Sequence, residues 1–249
     1  MTVDTAPKRF GSWRAVKRAL ALLKRAPLKF LLWSVAFAGL PDLATTYATT
    51  RFSSPETAFT TLNGWLLMVA TMLVSMFGLV ALQAVITRDV AADYDGSPNS
   101  GQAPFGGVSD YLALAALGLV TSLGIIGGFI LLVIPGVILS LAWLVVVPVM
   151  VTERQGVMDS IRRSNKLTGN ARGEILGLWV AVGLAGWLGA LLVNQVTSAI
   201  DVPAVTLITG PALQIVTGLA DSILAVAVYQ ELRWIKEGGA SERLAEVFA

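Results

Sequence analysis

The sequence predicts an all-α, polytopic integral-membrane bundle of about six transmembrane helices, with two basic amphipathic helices lying at its surface. Three observations carry that expectation. The 249 residues are 55% hydrophobic, only 14% charged, and have a mean hydropathy of +0.72, whereas soluble domains carry roughly 25% charged residues. The apolar residues come in unbroken runs rather than stripes, and crossing a bilayer takes ~20 of them. Nearly all the charge is confined to the segments between runs.

Uncharged runs place spans at residues 28–47, 62–86, 111–133, 136–151, 175–196 and 211–234, forming one transmembrane domain over residues 1–249. The third and fourth come from a single block of about 40 residues, too long for one crossing. That block folds back at GIIGG (Gly124–Gly128) or at IPG (Ile134–Gly136). Pro135-Gly136 is the expected turn, because Pro-Gly is a strong turn signal. Pro148 is then expected to distort the inner end of the fourth span. The basic lead followed by FLLWSVAFAGL has the outline of a secretory leader. A polar lead of nearly thirty residues misfits that pattern, so the stretch is read as the first span.

Six crossings put both termini on one side, and charge decides which. Of the 18 Lys and Arg residues, only Arg51 falls on the opposite face. The positive-inside rule then places both termini in the cytoplasm, in the inner membrane.

The segments before spans one and five are alike. WRAVKRALALLKRAPLKFLL (Trp13–Leu32) matches MDSIRRSNKLTGNARGEILG (Met158–Gly177) in character at Ala15/Ser160, Val16/Ile161, Lys17/Arg162, Arg18/Arg163, Ala19/Ser164, Leu22/Leu167 and Leu31/Leu176. This reads either as a weak parallel repeat or as convergence on one physical job. At 100° per residue Trp13, Val16, Ala19, Leu20 and Leu23 share an arc, opposite Arg14, Lys17, Arg18, Lys24 and Arg25. In the second copy Val157, Ser160, Ile161, Ser164, Leu167 and Thr168 share a face, with Arg162, Arg163 and Lys166 pointing away. An apolar face beneath a basic face describes a helix at headgroup level. The first copy suits lipid. The second, with its small hydroxyls, suits packing on the bundle's own cytoplasmic end, and Gly169 is expected to stop it in a left-handed conformation. These eight basic residues are the expected contacts for anionic headgroups.

The chain has no cysteine and no histidine, which removes thiol chemistry and the commonest general base and metal ligand. No catalytic, cofactor-binding or metal-binding residues are assigned, and the expectation is a non-enzyme. Asp89, Asp93 and Asp95 in the connector 88–110 lack the closing Glu of a calcium loop. Asp42 and Asp201 fall at outer span ends. The glycines of GLAGWLG (Gly183, Gly186, Gly189) suit close helix packing. Trp33, Trp65, Trp143, Trp179, Trp187 and Trp234 mostly read as an aromatic belt. No nucleic-acid motif accompanies the basic residues.

Asp221, in TGLADSILAVAV, is the one acid deep in a clean span. An intramembrane carboxylate costs at least ~2.5–3.5 kcal/mol to insert. It either locks two helices through a hydrogen bond or serves a proton or cation, with Gln83, Asn194, Gln195 or Gln214 as partners.

One stretch resembles a known family. LLVIPGVILSLAWLVVVPVMVTERQGVMDSIRRSNKLTGNARGEILGL (Leu131–Leu178) is similar to the glycerophosphoryl diester phosphodiesterase membrane-domain family. The matching positions are Pro135, Gly136, Pro148, Val149, Glu153, Ser160, Arg163, Ser164, Leu167, Thr168, Asn170 and Arg172. The ending YQELRWIKEGGASERLAEVFA (Tyr229–Ala249) resembles that family's closing segment. The resemblance implies the membrane half alone, because the catalytic barrel fused to it in some members uses histidines that this chain lacks. The functional expectation is a non-enzymatic inner-membrane module that organises lipid, a protein partner or a homo-oligomer. The alternative is a small transporter or channel for ions or an amphiphile, using Asp221.

Overall fold

The computed structural model describes residues 9–52, 60–94, 108–200 and 202–247. Among them there are helices and no strand. Six helical stretches are long and apolar enough to cross a membrane: Pro27–Phe52, Leu62–Ala92, Ser109–Leu131, Val133–Glu153, Arg172–Ile200 and Leu207–Glu237.

The chain enters through α1 (Ser12–Arg25), which stops at Ala26 because a residue preceding proline is pushed out of the helical region. Pro27 then opens α2 (Pro27–Ser34) at its first position, where a missing N–H costs nothing. A π turn at Val35–Gly39 joins α2 to α3 (Leu40–Phe52), with the Leu40 N–H bonding the Val35 carbonyl. Its cause is Pro41, which offers no N–H to the Phe37 carbonyl and whose ring would strike it in a regular helix. That carbonyl turns instead toward α4 (Leu62–Tyr94), where a Cβ on Gly78 would lie 2.2 Å from it. Only glycine fits there.

The next pair is α5 (Val108–Leu131) and α6 (Val133–Ala142). The reversal is at Leu132, whose extended backbone caps α6, three residues before the Pro-Gly expected to make it. Pro135 lies inside the first turn of α6, another place where a proline loses no hydrogen bond. Gly136 is needed for packing, since a Cβ there would stand 2.5 Å from the Phe129 ring. The rival GIIGG sequence stays helical within α5, and its Gly124 makes room for the Trp143 ring.

The fourth crossing is broken. After α6 the chain makes a turn at residues 143–145 and resumes as α7 (Val146–Glu153). Pro148 falls in the first turn of α7, so the discontinuity lies before the proline, in mid-span, rather than at the inner end. The Val146 N–H bonds the Trp143 carbonyl at 3.1 Å, which leaves the Ala142 carbonyl without its helical donor. The elbow α8 (Val157–Thr168) supplies substitutes: Ser164 Oγ donates to that carbonyl at 2.7 Å and Thr168 Oγ1 at 3.4 Å. Ser160, Ser164, Leu167 and Thr168 are all fully buried. The small-hydroxyl face therefore packs into the bundle and completes a broken helix. Gly169, expected to be left-handed, keeps right-handed geometry. The left-handed cap belongs to Arg154, which ends α7 with φ 49°.

The last two helices are α9 (Arg172–Ile200) and α10 (Pro203–Val247). The 45 residues of α10 run through Pro211 without a break and form the post against which α1, α3, α4 and α9 pack. Gly186 and Gly189 face Thr217 and Leu213 at ordinary contact distance, while a Cβ on Gly183 would meet nothing within 4 Å among the described residues. Trp187 is exposed near the middle of α9 rather than at a span end. One core cluster joins α7, α8 and α9 to α10 through Val145, Val149, Leu167, Ile175 and Val228, and a second joins α2 and α4 to it through Phe30, Leu82, Ile86 and Val226. The connector expected from Arg88 begins later, since α4 continues to Tyr94. Asp89 sits on it as a partner of Lys29 (2.8 Å) and of the Trp33 indole N–H (3.3 Å). Asp95 and Asp201 lie outside the described residues.

A candidate anion site at the basic end of the bundle

The end of the bundle that carries α1 and α8 also carries three carboxylates that gather the arginines. Glu231 projects from α10 toward α1 and is 0% exposed. Arg14 Nε donates to its Oε1 at 2.7 Å. Arg18 Nη2 lies 3.1 Å from its Oε2, but at an angle that makes no hydrogen bond, so this buried oxygen has charge compensation without a donor. The Arg18 guanidinium also sits over the Trp234 ring, 4.9 Å from its centroid.

The second group spans α7, α8 and α10. Arg163 Nε donates to both Glu153 oxygens, at 3.1 and 3.0 Å, and Nη2 donates to Glu237, which also accepts from Arg233 Nε at 2.7 Å. Thr152 Oγ1 donates to the Tyr229 hydroxyl at 2.7 Å, and that hydroxyl donates to Glu153 at 3.3 Å. Burial works against the Arg163 charge, yet its bonds to Glu153 and Glu237 outweigh it and hold the pKa above the ordinary arginine value. The side chain is a permanent cation that ties the elbow to two helices.

Between α1, α4 and α10 lies an open, groove-like cavity of about 610 Å³, within the range of small-molecule sites. Its lining mixes Arg18, Arg25, Arg233 and Glu237 with Leu22, Val90 and Val226. Arginines grouped in this way can bind an oxyanion through paired N–H donors. Thr87, Tyr229 and Gln230 add polar groups along the wall.

The eight basic residues expected to face headgroups divide into two sets. Arg14, Arg18 and Arg163 turn to the carboxylates, so in α1 the basic arc is itself partly the docking face, beside buried Ala15 and Leu22. The reason is the buried acid of α10, which attracts guanidinium groups strongly enough to override the helix's own amphipathic pattern. Lys17, Lys24, Arg25, Arg162 and Lys166 are exposed. Lys17 lies over the Trp13 ring, and Arg162 makes a surface pair with Asp159 at 3.5 Å.

Asp221 stands apart. It is accessible although surrounding atoms crowd it, as on a crevice wall. It makes no hydrogen bond or ion pair with Gln83, Asn194, Gln195 or Gln214, or with any other described residue. By helical register it lies between the lines where α10 meets α4 (Gly218 against Leu79) and α9 (Thr217 against Gly186). Within one chain it therefore does not lock two helices together, because the lock requires a partner. Asp42, placed at a span end by the sequence, sits inside the first crossing beside Thr46 and Gly210.

Sequence reasoning missed Glu231 and Glu237 and named Glu153 only as a family match. Comparison with family models, with curated proteins and with solved structures finds no match to this chain.

Proposed function

We propose that the chain is a non-enzymatic inner-membrane module, with both termini cytoplasmic, that gathers anionic lipid around its cytoplasmic end. One observation carries the reading. The same end presents exposed cations (Lys17, Lys24, Arg25, Arg162, Lys166) beside exposed apolar side chains, with Trp13 67% and Leu28 69% accessible. A leaflet boundary favours both, with about 1 kcal/mol for each cation near anionic lipid. The resemblance to the glycerophosphoryl diester phosphodiesterase membrane-domain family agrees with a lipid setting. The residues that carry the resemblance, among them Glu153, Arg163, Ser164 and Thr168, make the α7–α8 elbow. Replacing Lys17, Lys24, Arg162 and Lys166 by Gln should leave insertion intact and reduce the anionic fraction of lipid co-purified with the protein. An unchanged lipid composition overturns the reading.

A second reading, transport of a proton or small cation, is favoured by Asp221, an accessible mid-span carboxylate with no partner among the described residues. Asp221→Asn keeps size and polarity but cannot exchange a proton. Transport predicts loss of cation flux in proteoliposomes with unchanged thermal stability, and absence of flux in the wild-type protein removes the reading.

A further inference from the structure

We infer that a water-filled recess runs down one face of α10 from the end of the bundle opposite α1 and stops at Asp221, so that this carboxylate is reached from one side of the membrane only. Its use rests on the transport reading of Asp221, and its existence rests on three observations.

The first is a change in burial along α10. On the α1 side of Asp221, Ser222, Ile223 and every residue from Ala225 to Tyr229 are buried, whereas Asp221 itself is exposed. Leu141, Val145, Leu178, Val228 and Leu232 belong to one packed cluster there. That cluster is an apolar floor.

The second is the direction in which Asp221 looks. α9 packs on α10 at Leu213 and Thr217. By helical register it therefore runs between Asp221 and the exposed Ala212, Val216 and Ala220. Those three look outward to lipid, while Asp221 looks to the inner side of the bundle. Thr217, Gln214 and Gly210 follow it at helical spacing on the same side. Asp42 and Thr46 of α3 stand beside Gly210, so polar groups accompany this face for about 16 Å. An ionisable group within a membrane span characteristically faces the bundle interior or a water-filled cavity.

The third is the α5–α6 hairpin across from that face. It packs on α4 and α9, and above the floor it has no close packing on α10 among the described residues. Ser122 Oγ of α5 lies 2.7 Å from Met76 Sδ of α4. Counting equally from that contact, Leu131 at the end of α5 is level with Leu67, whereas α4 begins at Leu62, about 7.5 Å further out. The hairpin stands off α10 and ends below the rim, which leaves the recess open at that end.

The test uses the full, naturally cysteine-free chain with one cysteine at a time, in membrane vesicles of each orientation, and an impermeant cationic methanethiosulfonate reagent. Only the thiolate reacts, and apolar surroundings suppress it, so the rate reports water. Added on the side that labels Thr50→Cys, the reagent should modify Asp221→Cys and Gln214→Cys ~tenfold or more faster than Val216→Cys and Ala220→Cys, the effect of one pKa unit on the thiolate fraction. Added on the side that labels Asn165→Cys, it should leave Asp221→Cys as slow as Val228→Cys. Thermal melting checks folding, and if Asp221→Cys does not fold, Gln214→Cys decides alone. Reaction no faster than that of Ala220→Cys overturns the inference, because the face is then dry or filled by acyl chains. Reaction from the Asn165 side also overturns it, because the floor is then open. Cation flux through the wild-type protein in proteoliposomes separates the two claims. A labelled recess without flux keeps the inference and removes the transport reading, and flux without a labelled recess does the reverse.

Discussion

Asp221 and Glu231 lie ten positions apart on α10, about 15 Å along the axis, and their surroundings are opposite. Glu231 is sealed under α1 with two guanidinium groups, while Asp221 has none. A buried ion pair is weak evidence for stability, but removing one side of it is costly because the remaining charge is stranded. Arg14→Ala with Arg18→Ala should therefore destabilise the protein by about 3–5 kcal/mol. Adding Glu231→Leu should recover most of that loss, since an apolar replacement for a complete buried ion cluster is often neutral. Unfolding in detergent across the three variants measures the cycle, and a double variant that melts with the wild type would show that Glu231 does not hold α1. The sequence made Asp221 conspicuous because its neighbours are uncharged. Glu231 was not, because in YQELRW it has the look of a solvated helix end. Its burial comes from a helix 217 positions away, and no local pattern reports that.

The helices themselves were legible, because apolar runs of this length have few alternatives. The breaks were harder to read. Pro135-Gly136 is a turn signal, yet a proline is equally at home in the first turn of a helix, and only the approach of Gly136 to Phe129 decides between them. Likewise the hydroxyls of α8 were readable as a packing face, but not as substitutes for the donor missing at Ala142, since that vacancy comes from the turn at residues 143–145 of another element. The vacancy makes α8 a structural part of the fourth crossing. Ser164→Ala would leave the Ala142 carbonyl with Thr168 alone, at 3.4 Å, and an unmet buried acceptor costs ~1–3 kcal/mol. Lys166→Ala, on the exposed side of the same helix, should change stability by no more than about 0.5 kcal/mol. Thermal melts of the two variants side by side check this, and equal melting would mean that the break is satisfied by other groups.

At the scale of the whole molecule, sidedness determines whether the arginine-rich end can meet anionic lipid at all. The contact of Arg14 with Glu231 puts α1 beside the C-terminal half of α10, so both termini share one end. The first crossing, Pro27–Phe52, carries Arg51 away from that end over 26 residues, about 39 Å of helix. By sequence, 17 of the 18 Lys and Arg residues fall in segments assigned to that side, and the positive-inside rule is the basis for proposing that it is cytoplasmic. The native chain has no cysteine, so single-cysteine variants report position without background. Thr50 and Asn165 are both exposed, at opposite ends of the bundle. A membrane-impermeant thiol reagent applied to intact cells should label Thr50→Cys and spare Asn165→Cys until the membrane is permeabilised. The reverse pattern would place the arginine cavity in the outer leaflet. It would remove the cytoplasmic surface potential that draws basic segments to lipid, and with it the physical basis for the proposed lipid-gathering role.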